Sequence, residues 1–320
     1  MITFFNDVSL STHPNNEILS MTKQLLIILI LLVPFSISGL SQTGGTDREN
    51  AELVGPVKSV RIASVDYSGD KIIGEGFMKT DGDLISYDQT GREVDRKPMS
   101  DFGAAMGTMS KKYDKNGLIS ESIWLDPAGK PIENTVYSYA NGKIVQTDTY
   151  NGDGKLVEKI VNTWDSFGRL QQETYHDPVK PLAKTVYKYD GKNNPIEIAF
   201  FLADGRKAIA HVGPCLGAHR VTYLYNEADR VTAKEVFEDD GSKKRWYRWS
   251  YDKRGNASEY ISEGPSSTVS FSYNYEFDLR GNWTKRIARG TSLEKGSTVF
   301  GNKPTPYIRT TVTSRKINYY

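Results

Sequence analysis

The motif Tyr-Asp-x-x-Gly returns along this chain at an almost constant spacing and limits what the chain can fold into. It is clearest as YDKNG at residues 113–117 and YDKRG at residues 251–255. The aromatic residue that opens the motif, here called the marker, occupies eight positions: Tyr87, Tyr113, Tyr139, Trp164, Tyr189, Tyr225, Tyr251 and Phe277. Successive markers are 26, 26, 25, 25, 36, 26 and 26 residues apart. A fixed period of this size predicts a repeat architecture.

Each marker is followed by the residues of a tight turn. Asp or Asn accepts hydrogen bonds from the backbone N–H groups that follow it, and Gly supplies the positive φ that closes a hairpin. A second, weaker turn follows the marker by 11 or 12 residues in many repeats, as in LDPAGK from Leu125 and FLADGR from Phe201. Two turns per repeat leave two strands of roughly 6 to 9 residues. Each repeat is therefore predicted to be an antiparallel strand pair.

The segments between the turns alternate as half-buried strands do. In VSFSYNYEF, residues 269–277, the odd positions are apolar or aromatic and the even positions are polar. WYRWSY likewise places Tyr247, Trp249 and Tyr251 on one face. We therefore expect an all-β fold of tandem antiparallel hairpin repeats of about 26 residues, forming a curved, twisted sheet that partly rolls on itself. The markers should form aromatic ladders on one face, and the strand that ends at Tyr320 should seal an edge.

The motif resembles a known repeat family. The stretch from Tyr113, YDKNGLISESIWLDPAGKPIENTVYSY, resembles the YD-repeat, or Rhs-type, pattern, and the resemblance covers roughly residues 80 to 290. LVGPVKSV at 53–60, GNWTKR at 281–286 and SRKINYY at 314–320 also resemble small secreted bacterial YD-repeat-like proteins. The resemblance implies an extracytoplasmic β-repeat protein and supplies no catalytic residue. The number of markers is too small for the shell that large YD-repeat proteins build around a toxin domain.

The N-terminal region has the features of an export signal. Residues 1–20 carry two acidic residues and no Lys or Arg, whereas Lys23 precedes the apolar run at 25–33 and small residues follow it. We expect Met21 to be the physiological start. An uncleaved membrane anchor is the alternative, although the apolar run is short for a span of ~20 residues.

These features predict the organisation of the chain. Residues 1–20 are a leader outside the translated protein, 21–41 are a signal peptide cleaved after Ser41, and 42–320 form one YD-like β-repeat domain. The single cysteine, Cys215, excludes an intrachain disulfide. The predicted location is periplasmic or secreted, and the protein is not expected to be integral to a membrane after signal removal.

The interval of 36 residues contains an insertion at about 205–220, which holds the best candidate for metal or nucleophilic chemistry. His211, Cys215 and His219 are spaced four apart, as soft metal ligands on one face of a helix would be. Two Gly and one Pro between them argue against a helix. A structural insertion is the favoured interpretation, with a metal site or a Cys–His nucleophile as alternatives.

Two repeated residue types could carry function or only structure. The Asp residues after the markers could suggest acid–base work or calcium binding, but their identical place in each turn favours backbone capping. The tryptophans could stack on sugars or could belong to the ladder that holds the hairpins together, and the ladder is favoured. They are Trp124, Trp164, Trp246, Trp249 and Trp283.

The predicted function follows from the predicted export of the protein and from the absence of catalytic motifs in the sequence. Charge is nearly balanced, with a formal net charge of +2, so no nucleic-acid partner is expected. The phrases of common catalytic sites and phosphate loops are absent from the sequence. We expect an exported, non-enzymatic binding or structural module without cofactors, acting on a cell-surface polysaccharide or protein. The alternatives are a metal- or cysteine-dependent enzyme centred on the insertion, and a sheet that holds a hydrophobic ligand in its concavity.

Overall fold

The computed structural model describes residues 46–68, 71–72, 80–98, 107–177, 180–210, 217–294 and 306–320. In these ranges the chain forms one short helix, α1 (Asp47–Asn50), and an antiparallel sheet of 19 strands. The first strands are β1 (Val57–Ser68), β2 (Lys71–Ile72), β3 (Thr80–Tyr87), β4 (Glu93–Pro98), β5 (Thr108–Tyr113), β6 (Ile119–Leu125), β7 (Pro131–Ala140), β8 (Lys143–Asn151), β9 (Leu156–Trp164) and β10 (Leu170–Asp177). They are followed by β11 (Lys180–Tyr189), β12 (Pro195–Leu202), β13 (Arg220–Tyr225), β14 (Val231–Phe237), β15 (Lys243–Tyr251), β16 (Ala257–Glu263), β17 (Ser267–Phe277), β18 (Trp283–Glu294) and β19 (Tyr307–Tyr319).

The repeat translates into strands as the sequence predicts. From β3 onward each strand pairs with the next one along the chain, and the marker turns join odd strands to even strands, as at β5–β6 and β7–β8. The register shifts by one residue at every marker, as between Lys112 and Tyr113 or Ser250 and Tyr251. Such bulges bend a strand and increase its twist. Their periodic recurrence gives the sheet a constant curvature.

The sheet closes on itself, which corrects the expectation of a curved sheet that only partly rolls. The first long strand, β1, pairs with β3 on one side and with the last strand, β19, on the other. The closing register joins Val60 to Ile317 and Val65 to Val312. The ring contains 18 strands, because β2 pairs only with β1. Closure removes both open edges of the sheet; the predicted sealing by the last strand is correct, and it seals the whole barrel.

The two faces of the barrel differ in chemistry. Every described marker lies on the more buried face, together with the core residues Val60, Ile85, Ile198 and Val221. The other face carries cross-strand ion pairs, including Lys112–Glu121 at 2.6 Å and Lys285–Glu276 at 2.8 Å. The buried face is the inner one. A single chain segment lies along this face and approaches strands on both sides of the β1–β19 pairing that closes the barrel.

That segment, residues 46–55, is here called the mouth segment. Asp47 accepts a hydrogen bond from Tyr113 on β5 at 2.8 Å, and Leu53 is buried against residues of β1, β3 and β19. The charge of Glu52 acts on Tyr251 and Tyr275, on β15 and β17. One short segment can approach all of these strands only from inside the end of the barrel that carries the marker turns.

The flanks of the insertion also pack on the inner face. Ala210 and Ala218 are buried in a cluster with Leu170, Ile198 and Val221. Two backbone hydrogen bonds, from Ala210 N to Ala218 O at 2.8 Å and from Gly217 N to Ala210 O at 2.8 Å, bring the two flanks together. The described residues of the insertion on either side of 211–216 therefore lie against the inner wall of the barrel.

The predicted leader and signal peptide lie outside the described residues. The part of the chain that the structure describes contains no helix with the length and hydrophobicity of a membrane span.

Candidate ligand-binding wall inside the barrel

The markers hold neighbouring repeats together through their polar tips. The Tyr139 hydroxyl donates to the Ile119 carbonyl at 2.8 Å, and the Tyr251 hydroxyl donates to the Val231 carbonyl at 2.6 Å. In the one repeat with a tryptophan marker, Trp164 Nε1 donates to the Ile144 carbonyl at 2.9 Å. Each acceptor opens the strand that follows the preceding marker turn. Burial raises the pKa of Tyr139 and of Tyr251 to about 12, so these phenols stay protonated as donors.

The arginine that follows the turn glycine lies over the aromatic ring of the next marker. The sequence reasoning missed this cation–ring contact. The guanidinium of Arg169 lies 4.9 Å from the centre of the Tyr189 ring, and its Nε donates to Asp165 at 2.7 Å. Arg92 lies in the same way over Tyr113, at 4.9 Å. The sequence signal for this contact was the Arg or Lys that follows Gly in several motifs. The contact has a structural role, since a cation over a ring stabilises the junction between two repeats.

The Asp residues of the turns cap the backbone, as predicted. Asp165 Oδ1 accepts from the backbone N–H of Phe167 at 2.9 Å and from that of Arg169 at 2.8 Å. The backbone hydrogen bond from Arg169 is the main reason that the pKa of Asp165 lies below its usual value. Asn226 occupies the same place and accepts from Ala228 and Arg230, at 3.0 Å each. A neutral amide performs the same task, so the position needs an acceptor and not a catalytic carboxylate.

The inner face of β15, β16 and β17 carries a continuous layer of rings, here called the aromatic wall. It consists of residues directly opposite one another on three strands, since Trp249 pairs with Tyr260 and Tyr260 pairs with Phe271. Centres of adjacent rings are 5.6 to 6.4 Å apart. Its members are Tyr247, Trp249, Tyr260, Phe271 and Tyr273.

The aromatic wall combines apolar faces with neutral hydroxyl groups. Burial is the main cause that raises the pKa of Tyr260 and of Tyr273. Both phenols therefore stay protonated at neutral pH and can donate hydrogen bonds. Only Phe271 among the wall residues is fully buried, and the other four rings keep part of their surface accessible. A closed barrel of 18 strands is in the size range that encloses a water-filled space.

The five tryptophans, for which the sequence left ligand stacking as the alternative to a structural ladder, divide between the two faces. Trp124, Trp164, Trp249 and Trp283 lie on the inner face, and of these only Trp249 belongs to the aromatic wall. Trp246 lies on the outer face, where the guanidinium of Arg248 is 5.1 Å from its ring centre. The five tryptophans therefore do not form one platform. The sequence reasoning did not single out Tyr260, although the alternation in β16 carries the signal.

The candidate metal or nucleophile site is only partly visible. His211 and Cys215 lie outside the described residues. His219 extends β13, since its backbone N–H donates to Phe237 O at 3.0 Å and its carbonyl accepts from Phe200 N at 3.2 Å. Among the described residues, no group of three or more His, Cys, Asp or Glu side chains is placed to hold a metal ion. Whether these three residues act together stays a prediction.

Comparison with known proteins identifies no family. No family model matches the chain, and no curated protein matches it. A porin-like protein from Bacteroides uniformis ATCC 8492 is similar in structure, with 12% identity, a TM-score of 0.41, and coverage of 83% of this chain and 98% of that one. A porin-like protein from Bacteroides vulgatus ATCC 8482 has 12% identity, a TM-score of 0.29 and coverage of 81% and 97%.

A structure of TcdB2-TccC3 is also similar to this chain. TcdB2-TccC3 without its hypervariable C-terminal region has 11% identity and a TM-score of 0.23, with coverage of 80% of this chain and 19% of that one. This chain therefore spans about a fifth of that protein. At these scores none of the similar structures assigns an activity to this chain, and the YD-repeat resemblance stays an interpretation of the turn motif.

Proposed function

We propose that this protein is an exported, non-enzymatic binding protein that holds a saccharide against the aromatic wall inside the barrel. The observation that carries the proposal is the unbroken row of five rings across β15, β16 and β17, at centre-to-centre distances of 5.6 to 6.4 Å. A row of aromatic faces with neutral hydroxyl donors suits pyranose rings, which offer an apolar face and polar edges. The markers alone would hold the repeats together, so the fold does not need the aromatic wall as a second row of rings.

The proposed surroundings of the barrel are aqueous. Outward-facing side chains form cross-strand ion pairs, as between Lys188 and Glu197 at 2.7 Å and between Arg220 and Glu197 at 3.1 Å. Strands that face lipid carry an apolar outward band instead. The outer face also exposes apolar residues, such as Leu224 at 63% and Ile308 at 60% exposure, and Ile308 lies opposite Thr291 on β18.

Export through the segment 21–41, and a mature domain from 42 to 320, remain part of this proposal. N-terminal sequencing of protein recovered from outside the cytoplasm tests them. A start at Gln42 is the expected result, whereas a chain that begins at Met1 would contradict it.

The binding proposal is tested with two tryptophans of the same strand. Trp249 belongs to the aromatic wall and Trp246 faces outward on β15. Binding of neutral oligosaccharides to the protein from Gln42 is measured by calorimetry for the unchanged protein, Trp249→Ala and Trp246→Ala. Loss of one stacking ring is expected to weaken binding by about fivefold to a hundredfold, since such a contact contributes ~1–3 kcal/mol.

Trp246→Ala is the matched control, because it removes the same side chain from the opposite face of β15. It should leave the affinity unchanged. Equal weakening by both substitutions, or absence of binding across a broad panel of neutral glycans, would contradict binding of neutral saccharides by the wall.

A further inference from the structure

Arg315 on the inner face has no counter-charge in contact among the described residues, whereas two other inner-face arginines have one. Arg309 on β19 forms a two-pronged ion pair with Asp66, which is only 2% exposed. Arg96 on β4 is paired with Glu93 and with Asp83. Arg315 lies on β19 six positions beyond Arg309, and its Nε and Nη1 atoms are buried without a hydrogen-bond partner among the described residues.

The surroundings of Arg315 resemble a binding site more than a packed core. Its guanidinium stacks on Trp283 at 3.6 Å from the ring centre, which fixes the plane of the group and the directions of its N–H donors. A second cation, Arg286 on β18, lies 5.6 Å from the same ring and donates toward Thr313 at 3.5 Å. Two arginines that share one aromatic ring create a local positive potential inside the barrel.

The energetics favour an anion at this place. Burial lowers the pKa of Arg315 to about 10; the charge of Glu52 in the mouth segment opposes this shift, and the charge of Arg286 adds to it. A buried cation with unmet donors is costly until an anion supplies both charge and acceptors. Arginine recognises carboxylate and phosphate through paired N–H donors. The local chemistry is therefore complementary to an oxyanion.

The arginine pair is continuous with the aromatic wall. The guanidinium of Arg286 lies 5.8 Å from the ring centre of Tyr273, the last ring of that wall. We propose that Arg315 and Arg286 form an oxyanion site at the end of the aromatic wall, and that the ligand is an acidic glycan whose carboxylate or phosphate binds there while its sugar rings stack on the wall. This inference rests on the proposed function and specifies the class of its ligand.

The experiment separates the charge from the rings. Affinities of the protein from Gln42 are measured by calorimetry for a uronic-acid oligosaccharide, a phosphorylated oligosaccharide, the neutral oligosaccharide of the same length, and inorganic phosphate alone. Either acidic oligosaccharide is expected to bind at least ten times more tightly than the neutral one, and the preference should decrease as salt is raised. Preference between the first two identifies the anion as carboxylate or phosphate.

Variants assign the effect to the two arginines. Arg315→Gln and Arg286→Gln should each reduce affinity for the acidic glycan by about tenfold to a hundredfold and leave the neutral glycan unaffected. Arg248→Gln is the matched control, since Arg248 stacks on Trp246 on the outer face. Arg315→Lys keeps the positive charge but lacks the planar guanidinium group, and it should retain part of the preference for the acidic over the neutral glycan. Thermal unfolding of each variant verifies that it is folded.

The outcomes distinguish this inference from the proposed function. Equal affinity for acidic and neutral glycans, with dependence on Trp249, overturns the oxyanion site and leaves the saccharide proposal standing. Binding of inorganic phosphate that is lost in Arg315→Gln, without any glycan binding, supports the oxyanion site and contradicts the saccharide proposal. The inference is overturned if Arg315→Gln reduces the affinity for the acidic glycan no more than Arg248→Gln does.

Discussion

Gly290 on β18 shows how a single residue sets the spacing of the aromatic wall. It pairs with Phe271, and a Cβ atom placed on it would lie 2.3 Å from Phe271 Cδ1 and 2.5 Å from the Ser270 carbonyl oxygen. The ring therefore occupies the space that any other side chain would need. The backbone conformation of Gly290 is ordinary, so the requirement for glycine here is one of space.

Gly290→Ala is accordingly expected to lower the free energy of unfolding by about 1–3 kcal/mol, because the Phe271 ring must move from its site. Urea unfolding of the variant and of the unchanged protein measures this. Gly191→Ala is the control, since a Cβ at Gly191 has no atom within 4 Å. Equal stability of the two variants would show that Phe271 does not depend on Gly290.

At the scale of elements, two turns with the same motif have different tasks. Asn256 follows Gly255 in YDKRGN, and among the described residues its hydrogen bonds stay within its own turn, to Asp252. Asn282 follows Gly281 in FDLRGN and is 1% exposed. It accepts from Val54 N at 2.6 Å and donates to Val54 O at 2.9 Å, so it pairs with the mouth segment as a strand residue would.

Asn282→Ala is therefore expected to release the mouth segment. The change leaves the N–H and C=O groups of Val54 without partners, at a cost of about 1–3 kcal/mol. Hydrogen exchange should accelerate in residues 46–55, while the strands stay protected. Asn256→Ala, the same change one repeat earlier, should have no such effect; faster exchange in both variants would mean that Asn282 does not anchor the segment.

The whole molecule depends on one seam between its first and last long strands. β19 pairs with β1 along most of its length and with β18 on its other side. Deletion of residues 307–320 would expose the edges of β1 and β18 and leave the inner face open to solvent. The shortened protein is expected to associate through these edges, which size-exclusion chromatography with light scattering detects. A monomer with unchanged resistance to proteases would contradict the need for closure.

The repeated turns make the whole barrel sensitive to acid. The pKa of Asp88 is lowered to about 2, since hydrogen bonds from Thr90 and Arg92 outweigh its partial burial, and the pKa of Asp165 is also lowered. A carboxyl group with a lower pKa in the folded state stabilises the fold above its unfolded pKa of ~3.9. That stabilisation is lost as the pH falls through the folded value. Thermal stability should therefore decrease between about pH 5 and pH 2.

Asp165→Asn tests the origin of this acid sensitivity. The amide keeps the acceptor for the turn, as Asn226 does naturally, but it cannot be protonated in this range. The melting temperature of the variant should fall less on acidification than that of the unchanged protein, although the variant also lacks the charge that pairs with Arg169. An identical pH profile would show that this carboxylate contributes nothing to acid sensitivity.

Local structure was predictable because it depends on neighbours in sequence. Asp and Gly in the turns define tight hairpins through their own hydrogen bonds and positive φ, as at Asp114 and Gly117. Alternation assigned Phe271 and Tyr273 to one face. The period predicted two strands for each marker, which holds from β3 to β18.

The chain by itself determined the repeat, the turns and the inward side of each strand, because these depend on contacts that recur within about 26 residues. Only the tertiary structure decided closure, the position of the mouth segment and the meeting of Arg286, Arg315 and Trp283. Pairing of β1 with β19 joins residues about 250 positions apart, as Val60 and Ile317 show, and its existence depends on the sum of small bends at every bulge. No local pattern contains that sum, so neither the barrel nor the proposed oxyanion site could be derived from the motif.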